Sequence, residues 1–293
     1  MKKIILLTLI LTNILFASVK IDATYTTLGE VAKRIGGDLV SVNILGNPKY
    51  DPHFIVPKPS LISKLRRSDL LIINGGGLEI GWLPPLIKAA HNSKIQPGAK
   101  GFLDMSHFID FINKPQSVSR GFGDIHAQGN PHYSTDPYMV LIMAKVIAKK
   151  LSFIDPSNAL IYKSNLETFL QEWNDYLTKL DTKIAECKDK KVIQYHDLYN
   201  YFLKRYRFIS YGNIEPLPGI SPSSKHSIEL INTMKKQNIK IILQDIYHEK
   251  KTAKFIANKV GAKVEIVPHD VGAVKGSDTL EKFYTKIASQ LCN

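Results

Sequence analysis

From Pro156 to Cys187 the chain alternates polar and apolar residues with no glycine, and with no proline after the first position. Nothing in such a run stops a helix, and at 1.5 Å per residue it predicts a rod of about 45 Å, enough to run the length of a two-domain body. On both sides the pattern changes. Short apolar segments at 19–23, 40–45 and 70–73 alternate with amphipathic ones at 28–35 and 60–67, and a further helical run extends from Pro137 to about residue 151. Past the rod the alternation resumes, with apolar segments at 191–195, 208–211, 239–243 and 263–267 and amphipathic ones at 198–204, 224–237, 249–260 and 277–291. This alternation predicts βα units. The expected fold class is α/β, with two lobes, each a mainly parallel sheet flanked by helices, joined by one long rigid backbone helix. The expected divisions are a leader at 1–17, a first lobe at 18–155, the connecting helix at 156–188 and a second lobe at 189–293, and the chain is long enough for two cores.

Lys2 and Lys3, the apolar run from Ile4 to Phe16 and then Ala17-Ser18 match the three parts of a secretory signal peptide. The apolar run is shorter than the roughly 20 residues a spanning helix needs. No cysteine near Ser18 offers itself to lipid, so the expected product is a periplasmic protein without a stable membrane anchor, acting as a monomer. The 39 basic residues outnumber the 26 acidic ones, but the lysines are spread along helical segments rather than massed with aromatics. That reads as a solvated basic surface and argues against a nucleic-acid partner. An oxidising compartment permits Cys187 and Cys292 to pair, which would staple the last helix to the body; the sequence leaves this open.

Several histidines sit where packing does not call for them. His132 lies between two prolines in Gly129-Asn130-Pro131-His132-Tyr133-Ser134-Thr135-Asp136-Pro137, just before a helical run. His53 follows Asp51-Pro52, and His196, in Tyr195-His196-Asp197, ends an apolar segment. In open α/β sheets ligands gather beyond the carboxyl ends of strands, and neutral imidazole is the commonest protein ligand for a transition metal. His53, His132 and His196 are therefore candidate metal ligands, with His269 and Asp270 beyond the segment at 263–267 as further candidates. Asp197 is a candidate acceptor holding the His196 tautomer, and Asp136 a cap or brace for the helix after it. His226 reads as a helix-terminus residue, and His91, His107 and His248 as surface histidines. Asn74-Gly75-Gly76-Gly77 lacks both the Gly-Lys-Ser/Thr ending of a phosphate loop and dinucleotide spacing, and reads as an ordinary turn.

The order of these motifs resembles the metal-binding solute-binding proteins of zinc and manganese ABC importers. The resemblance spans essentially the whole mature chain. It is carried by Asp51-Pro52-His53 with Pro57-Lys58-Pro59-Ser60, by residues 65–79, by Gly129-Asn130-Pro131-His132 with Asp136-Pro137, by His196-Asp197 with Tyr201-Phe202, and by residues 218–223. It implies a metal held between two lobes and passed to an inner-membrane ABC permease with its ATPase. By motif, His53, His132 and His196 would be ligands, and histidine rather than carboxylate at 196 leans toward zinc, as does the preference of manganese for oxygen. The resemblance places a fourth ligand at His269 or Asp270. His126 stands where many zinc-selective relatives carry a long histidine- and acid-rich loop, and is a candidate transient ligand.

A secreted zinc-dependent hydrolase would share a metal with an open position. The chain has no His-Glu-x-x-His, and no Gly-x-Ser-x-Gly elbow. Glu215 is the one nameable general base, and it reads more simply as a loop or surface acid. The same fold would equally serve a carrier of manganese or iron, or an adhesin. The expected protein is not an enzyme.

Overall fold

The computed structural model describes residues 18–115, 126–187 and 190–292. The leader expected at 1–17 and the lobe boundary expected at 188 lie outside them. The first lobe opens with β1 (Val19–Ala23), α1 (Thr26–Gly36), β2 (Val40–Ile44), α2 (Pro59–Arg66) and β3 (Leu70–Ile73). It continues with α3 (Leu83–Ala90), β4 (Phe102–Asp104) and α4 (Met139–Ile154). The apolar pattern of the sequence indicated neither α3 nor β4. Pro84 and Pro85 argue against a helix, but they sit in the first turn of α3, where the missing N–H groups would have no partner.

The rod is α5 (Ala159–Ala185), entered through a 3-10 turn at Pro156–Asn158, so it begins three residues later than its pattern suggested. Its buried residues, Tyr162, Phe169, Trp173, Leu177, Leu180 and Ile184, recur at helical spacing and form one apolar face. The second lobe follows as β5 (Lys191–Gln194), α6 (Asn200–Arg205), β6 (Ile209–Asn213), α7 (Ser224–Gln237), β7 (Ile241–Gln244), α8 (Lys250–Val260), β8 (Lys263–Ile266) and α9 (Leu280–Cys292).

Both sheets are parallel throughout, in the orders β2-β1-β3-β4 and β6-β5-β7-β8. Each is the same winding, first strand central, so each has its crevice beyond the carboxyl ends of its two middle strands. One hydrophobic cluster runs through both lobes. It joins Ile21 and Ile72 of the first sheet, Ile147 of α4 and Trp173 of α5 to Phe202, Leu243 and Tyr284 of the second lobe. Polar ties reinforce it. The Tyr201 hydroxyl donates to the Asn130 carbonyl at 2.8 Å, the Tyr284 hydroxyl to Ser134 at 2.7 Å, and Arg205 pairs with the buried carboxylate of Asp136 at 2.8 Å. Asp136 also accepts from the Tyr138 amide, so the brace expected of it spans two lobes as well as one turn.

Cys187, just past α5, and Cys292, ending α9, form a disulfide, which answers the question the sequence left open. Among the described residues no helix is long and apolar enough to cross a membrane.

Candidate metal site

His53 sits in the loop after β2, in a turn pinned from both sides. The Tyr25 hydroxyl and the Trp82 indole both donate to the Pro52 carbonyl, at 2.9 and 3.1 Å. Asp51 then accepts from the His53 amide at 2.9 Å and faces its Nδ1 at 2.7 Å. His132 enters a 3-10 turn at Tyr133–Thr135. Asn74 donates to the Pro131 carbonyl at 3.0 Å, the Tyr133 hydroxyl donates back to the Asn74 carbonyl at 2.8 Å, and the His132 amide donates to Asn130 at 2.9 Å. His196 follows β5, with Nδ1 2.7 Å from Glu215 Oε2.

The three rings meet. Their centroids lie 5.2, 5.4 and 5.3 Å apart, and one ligating nitrogen from each lies within 4.8 Å of the others. All three are buried. A carboxylate accepting a hydrogen bond from Nδ1–H keeps the proton on that nitrogen and leaves the Nε2 lone pair of His53 and of His196 free for a cation. The Nε2 atoms of His132 and His196 are 3.3 Å apart, and a tetrahedral zinc with bonds of 2.0–2.1 Å to nitrogen has edges of about 3.3 Å.

His126 Nε2 stands 3.2 Å from His53 Nε2, with the rings stacked, on the wall of a 360 Å³ cavity that His53 also lines. Asp197 lies at the opposite nitrogen from that expected, with Oδ1 3.2 Å from His196 Nε2; the Nδ1 acceptor is Glu215. His269 and Asp270 fall outside the cluster of three. Both Asp270 oxygens are engaged, taking the amides of Thr26, Thr27 and Val271 and the Thr27 hydroxyl at 2.5–2.9 Å. It thus caps α1 from the other lobe, where Tyr25 gives no side-chain cap. His269 is buried, with its Nδ1 lacking a hydrogen-bond partner and its ring edge-on to Tyr247 at 5.0 Å.

Two sequence readings are corrected. Glu215 is not a surface acid: it is 7% exposed. Burial opposes its charge, but the hydrogen bond of His196 and the nearby imidazole of His248 prevail and hold its carboxyl down at about 2. His248 is not a surface residue either, since its side chain is 19% exposed and its Nδ1 lies 2.7 Å from Asp245. His226 is a helix-start residue as expected, its amide donating to Ser223. The Asn74–Gly77 turn gives two of its amides to the chain's own Glu79, which accepts from Asn74 at 2.7 Å and Gly75 at 3.0 Å. An internal carboxylate occupies the place a phosphate would need.

Two parallel-sheet lobes thus meet over a buried cluster of three imidazoles. The chain belongs to the family described as zinc-uptake complex component A, periplasmic, whose profile matches residues 21–292. It is a family of transport components, not of enzymes. Similar proteins include the manganese ABC transporter substrate-binding lipoprotein PsaA of Streptococcus mitis, 29% identical over 196 residues, which are 64% of this chain and 59% of that protein. The iron ABC transporter substrate-binding lipoprotein MtsA of Streptococcus pyogenes serotype M1 is 30% identical over 197 residues, with the same shares of 64% and 59%. The chain thus spans about three fifths of the length of these relatives. A crystal structure of a ZnuA deletion mutant with zinc bound matches with a TM-score of 0.77 and 26% identity, covering 94% of this chain and 97% of that one.

Proposed function

We propose that this protein binds a divalent transition metal, zinc, through His53, His132 and His196 in the periplasm and delivers it to an ABC permease with its ATPase. The observation that carries this reading is the convergence of three buried imidazole nitrogens, two of them with Nδ1 held by a carboxylate. Three imidazole nitrogens suit zinc better than manganese, which prefers oxygen. Manganese or iron as cargo is the second reading, favoured by the names of the streptococcal relatives. The fourth tetrahedral position falls to water, Asp197 or His126, because each of the two side chains stands about one tetrahedral edge from a triad nitrogen. Asp270 is assigned to joining the lobes.

Metal analysis of protein purified without added metal, with anomalous scattering at the zinc edge, tests this directly. Zinc at a hundredfold excess over its Kd should add about 2.7 kcal/mol to stability, and manganese less. An unfolding curve that zinc leaves unmoved would sink the proposal.

Binding should weaken in acid, since a protonated imidazole cannot ligate. Burial drives the pKa of His132 well down and that of His126 to about 3, so neither takes up a proton readily. At His196 burial acts the same way, but Glu215 and Asp197 outweigh it and the pKa is raised. Proton competition therefore starts at His196, and affinity should begin to fall above the ordinary imidazole value of about 6.5. Zinc titrations against a competing chelator from alkaline to acid pH check this, and a flat profile across that range would contradict it.

A further inference from the structure

We propose that His248 is a positioning residue for the metal site, fixing Glu215 and through it the ring of His196. The four groups form a line across the carboxyl ends of adjacent strands. Asp245, just past β7, lies 2.7 Å from His248 Nδ1, and His248 Nε2 lies 3.7 Å from Glu215 Oε1. Glu215, just past β6, turns its other oxygen to His196 Nδ1 at 2.7 Å. The imidazole of His248 stacks on Tyr195 at 4.3 Å and 21°, which fixes its plane, and Asp245, wholly buried, accepts from the Tyr247 and His248 amides as well.

Burial disfavours a charged His248, but Asp245 and Glu215, placed at its two nitrogens, override it and raise its pKa. Glu215 Oε1 has one other partner, the Gly219 amide at 3.0 Å, on a loop rich in proline. Without His248, Glu215 would be held by that loop and by His196 alone, and the ring it orients would lose its fixed bearing. Groups that orient a ligand's far nitrogen typically govern metal affinity by a factor of about 10 to 100.

The inference rests on His196 being a ligand, and a double-mutant cycle keeps the two questions apart. His248→Gln should weaken zinc binding about 10- to 100-fold in the native background, and by about twofold or less when Glu215→Gln is already present. The visible absorption bands of bound cobalt(II) should shift in His248→Gln while the melting temperature of the metal-free protein stays put, which separates orientation of the site from damage to the lobe. If His248→Gln fails to fold, Asp245→Asn, which removes the other anchor of His248, carries the same cycle. Native affinity in His248→Gln, or an equal loss in both backgrounds, would overturn the proposal. A native protein with no zinc affinity would instead overturn the ligand assignment.

Discussion

His132→Ala is expected to lower zinc affinity by a factor of about 10² to 10³, while His91→Ala leaves it unchanged. The size follows from the energy of a whole site: four-ligand zinc centres bind with about 10–16 kcal/mol, so one ligand is worth about 2.5–4 kcal/mol, and each 1.4 kcal/mol is tenfold. His132 should reach that full value because its position is set by backbone and by neighbours that survive the substitution. Asn130 holds its amide, Thr135 donates to its carbonyl at 2.9 Å, and Asn74 holds the preceding proline. Alanine therefore removes a nitrogen without releasing the loop, and water left in its place is a weaker ligand. His91 ends α3 with a φ of 50°, is exposed, and is not part of the cluster. Isothermal titration or chelator competition on both variants decides the matter. Equal losses would mean that the imidazole cluster is not where zinc binds.

Most of the fold could be read because its signals are periodic. The apolar face of α5 repeats at helical spacing for 27 residues, and the buried strands are short apolar runs between amphipathic stretches. What escaped was aperiodic or very short: three residues of β4, and a helix that opens on two prolines. The three histidines were legible because each stands at an abrupt place, beyond a strand or between prolines. Their supports were not, since Glu215 and His248 are 19 and 52 positions from His196 and only the sheet makes them neighbours. A signal was nonetheless present. In a parallel sheet every strand ends at the same edge, so the charged residues just past β5, β6 and β7, namely Asp197, Glu215 and Asp245, were bound to come together there. Of these, local motif pointed only to Asp197 as a site residue.

The continuous core has a mechanical consequence for release. Because α4, α5 and α9 pack into one cluster with both sheets, and Asp270 ties the second lobe to the start of α1, the lobes cannot swing apart without exposing apolar surface. On the function proposed above, metal exchange would then be worked by small movements at the cleft rather than by a wide hinge.

Removing the disulfide is expected to cost stability on a scale comparable with losing the metal. Cys187 and Cys292 are separated by 105 positions, and the enclosed segment contains all of β5 to β8. For a closed loop of that length the chain-entropy estimate is about 4.7 kcal/mol, drawn from the freedom the crosslink denies the unfolded chain. In the native state the bond also holds the end of α9 against α5, whose contact is otherwise made by side chains such as Tyr176, donating to the Glu281 carbonyl at 2.7 Å, and Lys183, donating to Ser289 at 2.9 Å. Those contacts remain after reduction, so the folded form should persist with a lower melting temperature rather than unravel at once. At 2–4 °C per kcal/mol for a chain of this size, the drop should be about 10–20 °C. Cys187→Ser with Cys292→Ser should melt where the reduced native protein melts and should ignore reductant. Should the double variant match the oxidised protein instead, the crosslink would contribute nothing and the second lobe would owe its stability to packing alone.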